Sequence, residues 1–187
     1  MNFPQILLAS GSPRRRFLLQ DAGFDVSFAN PDVNEDFPES TPAPQIPLLL
    51  AQRKNLAIES DKLIVAADTI VCLENEILNK PSNADEAFQM LSKLSGKVHS
   101  VFTGVYIRLG TKQHGFVEES RVFFKELKPD FIKSYIKEYH PFDKAGSYGI
   151  QDMMGYFGIY RIEGCYYNVM GFPLARFHEE LSNFLVK

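Results

Sequence analysis

The chain has 187 residues, 45% of them hydrophobic and 13% aromatic, enough to enclose a core in one domain or one compact two-lobed unit rather than to stay disordered. Twenty basic residues against 23 acidic ones leave a net charge of −3, so the total charge does not favour nucleic acid as a partner, and any recognition of phosphate has to be local. Two cysteines, Cys72 and Cys165, lie far apart without a C-x-x-C partner, which argues against a disulfide framework or a zinc knuckle and suits reduced, buried thiols.

The N-terminus, Met1-Asn2-Phe3-Pro4-Gln5-Ile6-Leu7-Leu8, lacks a basic segment followed by a long apolar one. No later run reaches the roughly 18 apolar residues of a membrane span, so the expected location is the cytoplasm, with no membrane partner. Ile6 to Ala9 is too short for a helix and stops at Ser10-Gly11-Ser12-Pro13, which reads as a strand entering a helix, with Ser12 as N-cap and Pro13 at the first helical position. The helix is expected to end at Gly23, and Phe24, Val26 and Phe28 then alternate with other residues as a second strand does, giving a β-α-β opening.

Residues 30–47 carry five prolines and several acids and read as a loop whose length hints at binding. A helix is predicted over 47–60, then a buried strand over 63–67 that ends on Asp68-Thr69, and a turn at Glu74-Asn75. Apolar residues at 84, 87, 88, 91 and 94, with Asp85 and Glu86 in the first turn, predict an amphipathic helix over 82–94 closed by Gly96. Strands near 98–108 and 115–125, a helix near 130–139, a Gly-rich segment 143–158, a strand near 158–163 and a final helix after Pro173 complete the expected order. No repeat, low-complexity tract or linker between independent domains is visible.

Ser10-Gly11-Ser12-Pro13-Arg14-Arg15 is the most informative segment. A strand-to-helix turn directs unpaired backbone N–H groups and the positive end of a helix dipole to one spot, and two arginines in the first turn add forked donors that match phosphate oxygens. The same segment reads equally as an ordinary helix start with a solvated basic face, and it is not a Walker A loop. Asp68, at the predicted strand end, is a carboxylate that needs water, a cation or a hydrogen-bond partner. It reads either as a Mg²⁺ ligand or water-orienting base, or as a cap or turn residue. Glu35 lies in the long loop, where an acid is normally just solvated; paired with Asp68 it reads instead as a second oxygen ligand for a hard cation. Lys54 and Lys80 are single lysines, of the kind most often exposed at the surface, and Lys80 is the better candidate because Pro81 fixes its turn. His99 reads as a structural histidine, since no serine or cysteine nucleophile with a companion acid accompanies it. The run Asp143 to Gln151 has small residues that let backbone approach a ligand and ends on a carboxamide suited to reading a nucleobase edge.

Taken together, Ser10 to Arg15, Ala67-Asp68-Thr69, Lys80-Pro81, Gly96 to Gly104, Asp143 to Gln151 and Asn168-Val169-Met170-Gly171-Phe172-Pro173-Leu174 resemble the Maf family of nucleotide pyrophosphatases over almost the whole chain. The resemblance implies a single Maf-like domain with an elongated α/β fold, a mixed sheet with helices and two lobes around a cleft, similar to inosine triphosphate pyrophosphatases, and it is compatible with a homodimer. It implies hydrolysis of a nucleoside triphosphate between the α- and β-phosphates, in the removal of non-canonical or modified nucleotides, with Mg²⁺ or Mn²⁺ as cofactor. Carried over by position, Asp68, Glu35 and Lys80 form the catalytic set, Asp68 being the proton acceptor. Glu35 and Asp68 hold the metal, and Ser10, Ser12, Arg14, Arg15, Lys54 and Lys80 serve the phosphates. Tyr148-Gly149-Ile150-Gln151 resembles the branch that prefers dTTP and UTP, in which Arg14, Thr69 and Gln151 match the specificity positions. His140-Pro141 departs from the usual Glu-Pro, and Asp152 stands where a glycine is usual, which bears on base selectivity more than on phosphate chemistry. Two alternatives stay open: the same hydrolysis on another nucleotide such as 7-methyl-GTP, which a substrate panel separates, and a non-catalytic nucleotide-binding regulator of cell division. Asp68, Glu35 and Lys80 argue against the second, because a pure binder needs no water-orienting carboxylate.

Overall fold

The computed structural model describes residues 3–186. The strands among them are β1 (Ile6–Ala9), β2 (Val26–Ala29), β3 (Leu63–Leu73), β4 (Glu76–Leu78), β5 (Val98–Leu109), β6 (Lys112–Phe124) and β7 (Ile159–Glu163). The helices are α1 (Pro13–Asp21), α2 (Ile46–Leu56), α3 (Ala84–Leu94), α4 (Pro129–Tyr139), α5 (Tyr166–Met170) and α6 (Leu174–Val186). The strands form one open mixed sheet in the order β2-β1-β3-β5-β6-β7, with β4 on β3. β1 pairs parallel with both β2 and β3, whereas β4 runs antiparallel to β3 and β7 antiparallel to β6. The expected α/β class and β-α-β opening are therefore present, since a parallel β1–β2 pair needs a crossover and α1 supplies it.

The chain divides into two compact units. The first holds the chain through Asp68, Thr103–Glu118 and the chain from Gly171, and the second holds Thr69–Phe102 and Glu119–Met170. In the first unit, Ile6, Leu8, Leu19 and residues 63–67 are buried with Ile46, Leu50, Phe177 and Leu181. Phe177 packs its ring against Phe24 and Phe172 at centroid distances of 5.5 and 4.9 Å. Helix α1 starts as its sequence dictates: the Ser12 side chain accepts from the Arg15 N–H, and Pro13 occupies the first position. It stops in a Schellman turn, with Gly23 at φ 85° and Phe24 N–H donating to the Leu19 carbonyl at 3.0 Å.

In the second unit the apolar face of α3 (Ala87, Leu91, Leu94) packs with Val71, Leu73, Val101, Val122 and Phe124 and with Ile132, Tyr135 and Ile136 of α4. Asn83 caps α3 by accepting from Glu86 N–H at 2.9 Å. Glu74 and Asn75, both at positive φ, make the two-residue loop between β3 and β4 that the sequence predicted.

Three expectations need correction. β3 does not end at Ala67: the apolar run resumes at Ile70 and carries the strand to Leu73, so Asp68 and Thr69 lie inside it as its two half-buried residues. α2 stops at Leu56, four residues short of the predicted end, because its C-terminal turn closes on Ala57 and Ile58. Cys72 is buried, but Cys165 is only half-buried.

Candidate active site

In the first unit β1 delivers Ser10, which is 4% exposed, to the start of α1. Its hydroxyl accepts from Ser12 N–H and from Arg15 Nη1, both at 3.2 Å. Arg15 turns inward: it is buried, and its Nε donates to the Gly171 carbonyl at 2.9 Å, so its fork braces the Ser10–Ser12 turn from behind. Burial lowers the Arg15 pKa, the charges of Asp68 and Glu35 oppose that shift, and Arg14 adds to it, so all three act electrostatically on Arg15. Gly11 faces the end of the Asn30 side chain, and a Cβ there would lie 2.7 Å from Asn30 Oδ1 unless that side chain moved. Arg14 is half-buried beside this turn.

Asp68 and Glu35 meet on a single cation. Lys54, in the last turn of α2, places its Nζ 2.6 Å from Asp68 Oδ1 and 2.6 Å from Glu35 Oε1, with Lys54 and Asp68 side chains each 13% exposed and Glu35 53%. Two residues with no assigned role in the sequence hold this arrangement. Arg53 Nη1 donates to the Asn34 carbonyl at 3.2 Å and to that of Asp36, anchoring the loop that carries Glu35. Asn55, fully buried, donates to the carbonyls of Ile64 (3.0 Å) and Tyr106 (3.2 Å) and accepts from Arg108 Nε (2.9 Å), pinning the end of α2 to β3 and β5. The only sequence signal for either was adjacency to Lys54.

Two anionic oxygens brought to one point are a donor set that a hard divalent cation takes, so Glu35 and Asp68 fit Mg²⁺ or Mn²⁺. Among the described residues no cluster of three or more His, Cys, Asp or Glu side chains is placed to hold a metal ion.

In the second unit Thr69 follows Asp68 on β3 and is half-buried. Lys80 is exposed in the turn after β4, and that turn is held by Gly146 N–H donating to the Asn79 carbonyl at 3.3 Å. Gly146 sits at φ 69°, where a Cβ would press within 3.0 Å of Val71. Gln151 is half-buried, and its Oε1 is buried with no hydrogen-bond partner among the described residues. His99 is the structural histidine expected: it is 2% exposed, its Nε2 lies 2.8 Å from Tyr148 Oη, and burial pushes its pKa down to about 3, which keeps the ring neutral. Its Nδ1, unlike its Nε2, has no partner among the described residues. Asn168 is structural too, donating to the Val101 carbonyl at 3.1 Å and Ser120 Oγ at 3.0 Å.

An α/β sheet with a capped helix start after β1 and two carboxylates converging on one lysine is an arrangement suited to a phosphate-handling protein of the nucleotide class. The family model described as Maf-like protein matches residues 5–184, and the chain belongs to that family. It is similar to a dTTP/UTP pyrophosphatase of Cytophaga hutchinsonii, 46% identical over 180 residues that cover 95% of this chain and 83% of the relative. It is likewise similar to dTTP/UTP pyrophosphatases of Parabacteroides distasonis, 43% identical over 96% of each chain, and of Phocaeicola vulgatus, 44% identical over 95% of each. No helix among the described residues is long and apolar enough to cross a membrane.

Proposed function

We propose that this chain hydrolyses dTTP and UTP between the α- and β-phosphates, releasing the monophosphate and pyrophosphate. The observation that carries the reaction type is the convergence of Glu35 and Asp68 on Lys54, with both carboxylates acting on Arg15 in the first turn of α1. The pyrimidine preference is supported by the names of the relatives and by the unpaired acceptor of Gln151. A thymine or uracil ring presents an N3–H that such an acceptor can take.

Glu35 and Asp68 would hold the divalent cation, which when bound supplies positive charge against the phosphate oxygens. Asp68 orients the attacking water and accepts its proton, a task for which a half-buried carboxylate held in place by Lys54 is suited. The Ser10 and Ser12 hydroxyls present donors to phosphate at the positive end of α1, and Arg14, Arg15 and Lys54 set positive charge around it. Lys80 is assigned to the leaving pyrophosphate, and Thr69 and Gln151 to the base.

The test is to incubate the purified chain with Mg²⁺ or Mn²⁺ and dTTP, UTP, CTP, dGTP or 7-methyl-GTP, measuring monophosphate and pyrophosphate, with Asp68→Asn alongside. Pyrophosphate from dTTP and UTP, reduced at least about 100-fold in the variant, is the expected result. Activity confined to 7-methyl-GTP rejects the pyrimidine assignment, and folded protein that hydrolyses no triphosphate rejects the reaction.

A further inference from the structure

Asp152 follows the base-reading candidate Gln151, and its carboxylate is fully committed. Oδ2 accepts from Tyr135 Oη at 3.0 Å, and Oδ1 accepts from Met154 N–H at 3.1 Å. Tyr135 is completely buried in α4 among the apolar residues of the second unit, and its oxygen also accepts from Gly149 N–H at 3.0 Å. The four residues 149–152 are thus closed into a ring: Gly149 N–H to Tyr135 Oη to Asp152 Oδ2, with Gln151 inside the span. Burial and the Asp152 charge both raise the Tyr135 pKa, so the phenol stays protonated and keeps donating.

The far side of the loop is tied as well. Tyr156 Oη donates to the Gln151 carbonyl at 2.9 Å, and Tyr156 N–H donates to the Asp152 carbonyl at 3.2 Å from a single π-helical turn, Met154–Gly158. A Cβ at Gly149 would lie 2.4 Å from Asp152 Oδ2 and 3.2 Å from Gln151 Oε1, so both side-chain ends lie against this glycine. With its backbone fixed on both flanks, Gln151 keeps only its own side-chain torsions. A recognition group must be held to within about 0.5 Å by the residues behind it for its hydrogen bonds to discriminate.

We propose that Asp152, clamped by Tyr135, is the positioning residue that orients Gln151 toward the pyrimidine edge and so sets base selectivity; this rests on the assignment of Gln151 made above. The charged side chain that departs from the glycine usual after Gln151 is the means by which this chain fixes its base reader. Asp152 does not touch the substrate and acts through Gln151.

The experiment compares kcat and KM for dTTP and dCTP, with the full chain and Mg²⁺, in wild type, Gln151→Ala, Asp152→Ala, Tyr135→Phe and the Asp152→Ala/Tyr135→Phe double variant. The expected result is that Asp152→Ala and Tyr135→Phe each lower the dTTP-over-dCTP ratio of kcat/KM about tenfold, mainly through KM, and that the double variant loses less than the two losses multiplied, because both remove the shared Tyr135–Asp152 bond. Asp152→Asn, nearly isosteric and able to accept from Tyr135 but not also from Met154, should lose less, and it serves in place of Asp152→Ala if that chain does not fold. A ratio unchanged in the folded Asp152 and Tyr135 variants, with Gln151→Ala having lost it, overturns the clamp while leaving Gln151 as the reader. A ratio unchanged in Gln151→Ala overturns the assignment of Gln151 and the clamp with it.

Discussion

Arg53 is half-buried but its bonds are open to water, so its loss should hardly alter stability, yet it holds the backbone on both sides of Glu35 through the Asn34 and Asp36 carbonyls. A carboxylate on a long proline-rich loop loses its position when that tie is cut. Arg53→Ala is therefore expected to change the free energy of unfolding by less than about 1 kcal/mol, as hydrogen bonds open to water do. It should also raise the Mg²⁺ concentration for half-maximal hydrolysis several-fold; an unchanged metal requirement in a metal titration of activity would show that Arg53 does not position Glu35. The contrast with Ser12 and Pro13 shows what was legible at this scale. Ser12 caps its own helix through a partner three residues away, a pattern visible in the string itself. Arg53 and Asn55 act on residues as far as 19 and 51 positions off, and no periodicity announces such partners. Asp68 and Glu35 were named from their chemistry and their likeness to a family, while their meeting on Lys54 came only from the fold.

At the scale of elements, boundaries set by local chemistry agree closely with expectation, and those set by tertiary packing do not. Gly23 and the Glu74-Asn75 turn lie where positive φ is needed, and the sequence marks both. β3 extends past Asp68 because Ile70 to Leu73 are buried in the second unit, and a polar pair inside an apolar run looks like an end only when the run is cut there. Gly104 shows the reverse: a glycine in the middle of β5 with no turn to make. A Cβ at that position would lie 2.2 Å from Leu48 N and 2.4 Å from Pro47 C, so the first turn of α2 rests its backbone directly on the strand. Backbone cannot rotate out of the way as a side chain does. Gly104→Ala should push α2 off β5 and destabilise the chain by about 1–3 kcal/mol, read from the urea midpoint at constant slope. Because α2 carries Lys54 and Arg53, hydrolysis should fall as well. A variant as stable as wild type would mean that α2 shifts on the strand without cost.

For the whole molecule, the α/β class was legible from the alternation of elements and two lobes were implied by the family resemblance, but where the chain passes from one unit to the other was not legible. Each unit is assembled from separate stretches of chain, and β3, β5 and β6 each belong partly to both, so no linker marks a boundary in the sequence. Stability of the whole against acid is set in part by one residue of the second unit. His99 is buried neutral, with a pKa pushed down to about 3 from an ordinary value of 6.5. Between those values the unfolded chain binds a proton at this position and the native chain does not, so stability rises with pH across the window and is lost as pH falls from 6.5 toward 3. The loss should approach about 1.4 kcal/mol per pH unit, or about 2 kcal/mol between pH 7 and pH 5 from this group alone. His99→Gln retains a side chain able to bond Tyr148 Oη and removes the titration. Urea unfolding at pH 7 and pH 5 should therefore show a smaller pH-dependent loss in the variant than in wild type by roughly that 2 kcal/mol, whatever its absolute stability. Equal losses in the two proteins would mean that His99 takes up its proton in the folded state, and the acid sensitivity would then belong to other groups.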